Sequence, residues 1–530
     1  MATGTSTPSI SALNTEFNQP LKGNMLWFAA ILLSGANFIA VLDMTIANVS
    51  VSSIAGNLGV TTSQGTWVIT SYAVAEAITV PLTGWLAARF GAVRVFCCAM
   101  ACFGVCSAMC GFANSLGFLV AARVLQGLSG GPMLPLTQTL LLRIFPREKA
   151  MAANGLWAMT TLTAPVIGPI LGGWICDNYS WSWIFFINVP IAIICSWLTW
   201  QLLKGFEREL VRSPIDVIGL VLLVVWVGAF QIMIDEGKDL DWFSSNYIVA
   251  LAIIAAIGFA TFLIWELGEK HPIVNLSVFR HRGYSICVFT ISLAFGGYFA
   301  ANVITPLWLQ NFMGYTPTWS GETTAWSGVT AFFVAPLAAI WARKTDPRRL
   351  IFGGLMWLGL ITFGRCFLNT DASYWWIALP IMLMGLGSPF FFVPLIGLAL
   401  MNVEESETAS AAGLMTFLRT LSGAFATSLV NTTWEDKINY NHAELAGLVD
   451  RTGEYFRQLT ESGIQTETAR ALINNAVTNQ SAMLATNQVM MIVSVCLILS
   501  AFSIWLAPKP GKKAAGSPKP EASPRAREPG

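Results

Sequence analysis

Repeated runs of about 20 apolar residues constrain the fold of this chain more than any other feature of its sequence. Hydrophobic residues make up 55% of the 530 positions, and charged residues make up only 11%. A run of this length crosses the hydrocarbon core of a bilayer as an α-helix, and no soluble core needs so many of them. The chain is therefore predicted to be an all-α polytopic membrane protein with fourteen transmembrane helices. The candidate runs are 26–46, 65–85, 93–112, 117–139, 153–175, 182–202, 215–234, 247–266, 284–310, 323–342, 349–367, 373–400, 408–432 and 487–507.

The distribution of Lys and Arg predicts how these helices are oriented. Fourteen crossings place both termini on one side, and 22 of the 30 Lys and Arg residues fall on that side. The opposite side has five, which are Lys238, Lys437, Arg451, Arg457 and Arg470. Because cytoplasmic loops are enriched in Lys and Arg, both termini are predicted to be cytoplasmic. The first 25 residues lack the apolar core of a cleavable signal peptide, and the net charge of +1 does not indicate nucleic-acid binding.

The order of the runs predicts two six-helix bundles with two extra helices inserted between them. Two basic segments, GWLAARFGAVRV (84–95) and AIWARKTDPRRLI (339–351), are similar enough to suggest a duplication. In the hydrophilic loop 434–485 we expect one or two amphipathic helices, and a solvated loop without a partner remains the alternative. The predicted divisions are a cytoplasmic tail (1–25), a first bundle (26–202), a linker with the extra helices (203–283), a second bundle that includes the loop (284–507) and a disordered cytoplasmic tail (508–530).

Charged residues inside the apolar runs are the first candidates for function, because a charge in lipid is costly and usually faces a cavity or a partner. Arg123 lies in the otherwise uncharged stretch 117–142, and Asp43 and Glu76 are acids within the first two runs. The predicted depths of Asp43 and Arg123 differ by roughly 5 Å. We expect the two to communicate, so that a cationic substrate competing for Asp43 displaces its proton. The alternative is a static ion pair.

Glu76 is predicted to add a second proton site or to bind cationic substrates. The alternative is a protonated side chain that is hydrogen-bonded to a neighbouring helix. Arg419, Gln126 and Asn302 are further candidates for contact with substrate, and Arg365 is expected to reach towards the membrane interface.

Cysteine and histidine provide no support for a metal site or for an enzyme. All ten cysteines lie in or beside apolar runs, and the three histidines lie in loops. The cysteines are therefore predicted to pack as small apolar residues. No metal, no cofactor and no catalytic residue is predicted, and a proton gradient would supply the energy for transport.

Several stretches carry a family resemblance. They are LDMTIANVSV (42–51), SQGTWVITSY (63–72), ARVLQGLSGGP (122–132), APVIGPILGGWI (164–175) and DNYSWSWIFFINVP (177–190). These stretches resemble the fourteen-helix drug:proton antiporters of the major facilitator superfamily. The resemblance implies a fold of two six-helix bundles plus two inserted helices.

The resemblance also assigns roles to two short motifs. An antiporter motif in the fifth helix would seal the transport path and set its direction, and here it comprises Pro165, Gly168, Pro169, Gly172 and Gly173. The loop after the second helix has Gly84, Arg89 and Gly91 at the positions of the family's loop motif. Ala88 stands where the family commonly has an acid, so a gating ion pair through this loop is doubtful.

The function implied by the resemblance is proton-coupled export of hydrophobic or amphipathic compounds across a bacterial inner membrane. The chain would be the pump of a tripartite system, with a periplasmic membrane-fusion adaptor and an outer-membrane channel as partners. The loop 434–485 is the predicted adaptor contact, with the two inserted helices as another possibility. Two alternatives stay open, which are an exporter of a defined metabolite or fatty acid and a membrane sensor or scaffold without turnover.

Overall fold

The described part of the chain is almost entirely helical. A computed structural model describes residues 23–146, 149–207, 214–401, 403–404 and 407–508, so most of both predicted tails lies outside the described residues. Within these ranges, the helices of eight or more residues are numbered α1 to α17. They are α1 Gly23–Leu58, α2 Trp67–Thr79, α3 Thr83–Phe90, α4 Ala92–Gly111, α5 Leu116–Gly130, α6 Met133–Ile144, α7 Ala150–Asn178, α8 Asn188–Leu203, α9 Val217–Gly237, α10 Asn246–Gly268, α11 Arg282–Asn311, α12 Pro317–Lys344, α13 Pro347–Arg365, α14 Tyr374–Met401, α15 Thr408–Thr452, α16 Glu454–Glu461 and α17 Thr466–Ser503.

Ten segments of the described residues are long and apolar enough to cross a membrane, so the predicted number of fourteen is not confirmed. The other four predicted runs are also helical. The second run is divided into α2 and α3, and the fourth into α5 and α6. The two breaks contain Pro81 and Pro132, and proline lacks the N–H that continues a helix. The eleventh run coincides with α13, which contains three arginines, and the thirteenth with the start of α15.

The helices associate in two groups. Helices α1 to α8 pack on one another, as do α11 to α15 and α17. Helices α9 and α10 form a pair, and α9 also contacts α2 of the first group and α15 of the second. Because α9 contacts both groups, the inserted pair of α9 and α10 bridges them. We call the end of the molecule where α1 begins and α17 finishes the terminal end, and the opposite end the hairpin end.

The two groups are in close contact at the terminal end. A Cβ atom on Gly84 of α3 would lie 2.7 Å from the Cα atom of Ser410 in α15, which no real side chain tolerates. Helix α7 of the first group also packs against α12 and α14 of the second. Across that contact the rings of Trp157 and Phe392 stack at 6.0 Å. Close packing between the two groups thus explains why the loop motif has glycine at position 84.

The predicted helices of the hydrophilic loop are confirmed, and they form a hairpin. Helix α15 continues to Thr452, α16 follows, and α17 returns from Thr466. The two long helices are joined by hydrogen bonds from Trp434 Nε1 to Thr486 Oγ1 (2.9 Å) and from Asn441 Nδ2 to the Ser481 carbonyl (3.4 Å). The same helices that end the second group therefore extend beyond it as one continuous structure.

The turn between α9 and α10 is fixed to the base of this hairpin. Lys238 Nζ lies 2.6 Å from Glu435 Oε1, and Trp242 Nε1 donates to Thr432 Oγ1 at 2.9 Å. Asp241 and Trp242 have φ angles of 54° and 49°, a region that favours glycine. The contacts with α15 offset this local strain, so the turn depends on the hairpin for its conformation.

Substitutions at Asp241 test this strain. Asp241→Gly is expected to preserve or raise the melting temperature in detergent, because glycine adopts positive φ without a Cβ clash. Asp241→Ile is expected to lower it, because a β-branched residue in this region costs about 1–2 kcal/mol. Asp239→Ile is the control at an exposed position of the same turn that does not have positive φ. Equal melting temperatures for the two Ile variants would contradict the strained turn.

Candidate functional site

A buried ion pair joins α1 and α5. Arg123 Nη1 donates to Asp43 Oδ2 at 2.6 Å, and both residues have no exposed surface. The guanidinium also donates from Nη1 to Gln126 Oε1 (2.8 Å) and from Nε to the Val68 carbonyl (3.0 Å). Its Cζ atom lies 4.2 Å from the centre of the Tyr72 ring. The positive charge of Arg123 is therefore matched by a carboxylate, a carbonyl, an amide oxygen and an aromatic face.

Both oxygens of Asp43 accept hydrogen bonds. In addition to the bond from Arg123, Oδ1 accepts from Gln126 Nε2 at 3.1 Å and from Asn188 Nδ2 at 2.6 Å. Three donors therefore surround one carboxylate, and hydrogen bonds to a charged acceptor are stronger than those between neutral groups. All three donors interact with the charge of one carboxylate, so Asp43 connects α1 to both α5 and α8.

A second set of polar groups supports the ion pair. Asn188 Nδ2 also donates to Ser107 Oγ at 3.1 Å, and Ser107 Oγ donates to the Phe185 carbonyl at 2.8 Å. Cys110 Sγ lies 3.5 Å from Gln126 Oε1. Neither Asn188 nor Ser107 is among the residues predicted from the sequence. The signal for Asn188 was its place in the stretch 177–190, which was noted only for the family resemblance.

Glu76 of α2 lies near this network without joining it. Its side chain is 5% exposed and interacts electrostatically with Arg123, Asp43 and Arg419. Among the described residues, no donor forms a hydrogen bond to its carboxylate, in contrast to that of Asp43. The predicted alternative of a protonated Glu76 bonded to a neighbouring helix is therefore not observed in the described ranges. Glu76 could exchange a proton without the loss of an existing hydrogen bond.

Arg419 of α15 occupies an aromatic cage. Its guanidinium lies 5.3 Å from the Trp157 ring, 5.0 Å from the Phe295 ring and 5.5 Å from the Phe392 ring. Arg419 is 3% exposed, and its Nε has no acceptor. Within the described residues it has no ion pair. The indole N–H of Trp157 is also buried without an acceptor. The cage thus presents unused donors where both helix groups meet.

The structure places the other predicted substrate contacts differently. Gln126 is fully buried and bonded at both ends of its amide, so in this conformation it belongs to the Asp43 network. Asn302 is half-buried and donates to the Tyr298 carbonyl of its own helix at 2.7 Å. Substrate contact for these two residues stays a prediction.

The expectation that Arg365 reaches the membrane interface is wrong. Arg365 is only 4% exposed and donates to the Thr305 hydroxyl at 2.5 Å and to Met384 Sδ at 3.4 Å. The packing of α13 against its neighbours turns the side chain inward, which residue spacing alone does not reveal. Three further acids lie within the membrane-length helices α9 and α10. Asp235 and Glu236 lie in α9, just beyond the predicted run 215–234, and Glu266 lies in α10, at the last position of the predicted run 247–266.

The antiporter motif packs α7 against the part of α1 that follows Asp43. A Cβ atom on Gly168 would lie 2.9 Å from Thr45 Cβ, and one on Gly172 would lie 2.8 Å from Ile46 Cγ1. Gly173 has no neighbouring atom within 4 Å of the same position. Pro165 and Pro169 lie inside the helix. Gly168 and Gly172 therefore allow α7 to pack directly against α1, the helix that carries Asp43. Gly173 does not contribute to that contact.

Two residues of the loop motif, Gly84 and Arg89, lie in α3, and Gly91 directly precedes α4. Gly91 has a φ of 95°, and Glu207 accepts from the backbone N–H groups of Val93 (3.3 Å) and Arg94 (3.1 Å). Arg89 packs over the Trp85 ring at 5.5 Å. A carboxylate at a helix N-terminus is stabilising. Glu207, which follows α8, thus supplies an acid near the loop in which Ala88 replaces the usual one.

In the second group, the equivalent cap comes from the loop itself. Asp346 Oδ1 accepts from the Arg348 N–H at 3.0 Å at the start of α13. Partial burial raises the pKa of Asp346, but the hydrogen bonds from Arg348 and the charges of Arg348 and Arg349 together outweigh this effect, so the pKa lies below its usual value. The two similar basic segments therefore share a capped helix start, achieved with different residues.

Comparisons with known proteins agree with this architecture. The family model described as Major Facilitator Superfamily matches residues 33–427. The chain is 42% identical to the fatty acid resistance protein FarB of Neisseria gonorrhoeae over 93% of its own length and 98% of that protein. It is 40% identical to the multidrug export protein EmrB of Escherichia coli (strain K12), over 93% of this chain and 97% of that one. The solved structure of the proton:xylose symporter XylE, at 12% identity, superposes with a TM-score of 0.58 over 91% of this chain and 96% of that one.

Alanine at two glycines of the antiporter motif tests the α1–α7 contact. Gly168→Ala is expected to lower the melting temperature in detergent, because the new methyl group meets Thr45. Gly173→Ala is the matched control, and it is expected to leave the melting temperature unchanged or slightly higher because the position is open. The same response at both positions would show that Gly168 has no special packing role.

A double-mutant cycle measures the ion pair. Asp43→Asn and Arg123→Gln are each expected to destabilise the protein by on the order of 3 kcal/mol, because each leaves a buried charge without its partner. The double variant is expected to recover much of that loss. The exposed pair Arg470–Glu467, at 3.1 Å, is the control and should show no coupling. Additive losses for Asp43 and Arg123 would contradict a direct interaction.

Proposed function

We propose that this chain, which belongs to the Major Facilitator Superfamily, exports hydrophobic or amphipathic compounds in exchange for protons. The family and fold are those of transporters and not of enzymes, and the relatives include multidrug exporters. The chain is a multi-pass membrane protein of this family. The observation that carries the proposal is the buried pair of Asp43 and Arg123, with the unbonded carboxylate of Glu76 nearby.

The proposed coupling begins at the ion pair. A proton on Asp43 removes the charge that attracts Arg123, and this weakens the contact between α1 and α5. Helix α7 packs on α1 through Gly168, immediately beyond Asp43, so the change reaches the helix that also contacts α12 and α14 of the second group. Each inward proton supplies about 2.3 kcal/mol per 100 mV of membrane potential. Protonation is thereby linked to the relative movement of the two groups.

Glu76 is the proposed second proton site and the group that attracts cationic substrates. Its carboxylate has no hydrogen-bond donor among the described residues, and both Arg123 and Arg419 influence it electrostatically. A cationic compound that approaches Glu76 competes with a proton for the same charge. Exchange then follows from exclusive occupancy, with either the proton or the substrate bound.

The aromatic cage supports a second candidate function, export of fatty acids or similar amphipathic anions. Arg419 has no carboxylate partner within the described ranges, and the Trp157 N–H next to it lacks an acceptor. A carboxylate headgroup could bind both donors while an apolar chain lies along the rings. One relative is named as a fatty acid resistance protein. Competition between palmitate and an unrelated cation for one site would support broad specificity over this narrower function.

The proposed location is the bacterial inner membrane, with both termini cytoplasmic. The excess of Lys and Arg on the terminal side supports this orientation. The hairpin end then faces the periplasm, and the hairpin of α15, α16 and α17 is the proposed contact for a membrane-fusion adaptor that leads to an outer-membrane channel. No cofactor is proposed, because the proton gradient is the energy source.

Transport measurements in proteoliposomes test the coupling. The native chain is expected to move protons outward from the lumen only when ethidium, an amphipathic cation, is transported inward in exchange. Asp43→Asn is expected to abolish this proton movement, and Glu76→Gln is expected to reduce ethidium transport more than that of a neutral compound. Glu322→Gln, at an exposed acid of α12, is the control. Full coupling in Asp43→Asn would exclude Asp43 as the carrier.

A shortened hairpin tests the adaptor contact. Replacement of residues 443–473 by a short Gly/Ser turn keeps the pairing of Trp434 with Thr486 and of Asn441 with Ser481. The variant is expected to retain ethidium exchange in proteoliposomes and to lose capture of the purified adaptor. Unchanged capture would assign the contact to another surface, such as α9 and α10.

A further inference from the structure

The stretch 177–190 places two side chains, Phe185 and Asn188, next to the ion pair of Asp43 and Arg123. After α7 ends, the four-residue helix Trp183–Phe186 reverses the chain, and α8 begins at Asn188. This reversal places the Phe185 ring 5.6 Å from the Arg123 guanidinium and brings Asn188 into contact with Asp43. Neither the family resemblance nor the proposed coupling assigns a role to this stretch.

The orientation of the Asn188 amide is fixed by its neighbours. The Ser107 hydroxyl donates its single hydrogen to the Phe185 carbonyl, so towards Asn188 it can only accept. The ionised Asp43 carboxylate also can only accept. The amide nitrogen of Asn188, with its two hydrogens, must therefore face both groups, as observed at 3.1 Å and 2.6 Å. A flipped amide would place its oxygen against two acceptors.

We propose that Asn188, held in this orientation by Ser107, is a positioning residue that sets how readily Asp43 takes up a proton. This inference rests on the proposed function, in which Asp43 carries the proton. Asn188 donates to the ionised carboxylate, and a hydrogen bond to the charged form favours that form. Asn188 therefore opposes protonation of Asp43 and helps to keep the carboxylate on Arg123 until substrate and proton exchange.

The other ionisable groups around Asp43 come from α2, α4 and α5. Arg123 of α5 is the direct partner, and Tyr72, Glu76 and Cys110 from α2 and α4 interact with Asp43 electrostatically. Asn188 and Ser107 do not titrate. Substitution of either one leaves all four ionisable neighbours in place, so a change in pH dependence reports on the hydrogen bond that was removed.

The test is the pH profile of ethidium–proton exchange by the full-length chain in proteoliposomes. Asn188→Leu has a similar side-chain volume and no donors, so its profile is expected to move towards higher pH by about one unit, the value of one charge-assisted hydrogen bond. Ser107→Ala frees the amide to rotate and is expected to cause a smaller shift in the same direction. Asn178→Leu is the control within the same stretch, because among the described residues the Asn178 amide donates only to the Trp174 carbonyl of its own helix.

Titration of the carboxyl stretching band by difference infrared spectroscopy, native minus Asp43→Asn, provides a readout that does not require transport. The band is expected to appear at higher pH in Asn188→Leu than in the native chain. A rate that falls equally at all pH values, with an unmoved infrared band, would overturn the positioning role. Absence of ethidium-dependent proton movement in the native chain would instead overturn the proposed function, and the infrared titration would still decide the inference. If Asn188→Leu does not fold, Ser107→Ala gives the same decision.

Discussion

The ion pair between Asp43 and Arg123 is the interaction on which the first helix group depends. A buried permanent charge is costly unless it is paired and hydrogen-bonded, and the partners of Arg123 come from α1, α2 and α5. The network extends to Ser107 on α4 and Asn188 on α8. Five helices therefore meet at one buried polar centre, and a change of charge at that centre affects all of them. This sensitivity is what a proton-driven transporter needs from its coupling site.

The two groups differ in how their buried charges are balanced. In the first group, Arg123 has a carboxylate partner, whereas Arg419 and Arg365 of the second group have none among the described residues. Arg419 is held by aromatic faces and Arg365 by a hydroxyl and a thioether. Glu76 is the acid of the first group that interacts electrostatically with Arg419. Among the described residues, the interface between the groups thus carries a carboxylate without a hydrogen-bond donor and a guanidinium without an ion pair, a combination that suits the binding of charged amphipathic compounds.

The sequence was most informative where one simple property decides the structure. Apolar length located the helices, and the polar composition of 434–485 indicated the helical hairpin. Depth along two helices suggested that Asp43 and Arg123 meet, because helical rise is constant. The apolar pattern did not reveal that the second and fourth runs are each divided into two helices, near Pro81 and Pro132. It also did not reveal that the Arg365 side chain points inward. Asn188 was missed because it reaches Asp43 through a chain reversal, and spacing along the sequence does not encode such a contact.

The most direct test of the coupling is a count of the protons released when substrate binds. Calorimetric titration of the purified full-length chain with ethidium, repeated in phosphate and in Tris, gives this number from the dependence of the heat on the buffer. The account predicts net proton release by the native chain and none by the Asp43→Asn, Glu76→Gln double variant. Heats that do not depend on the buffer, with ethidium still bound, would contradict exchange by exclusive occupancy.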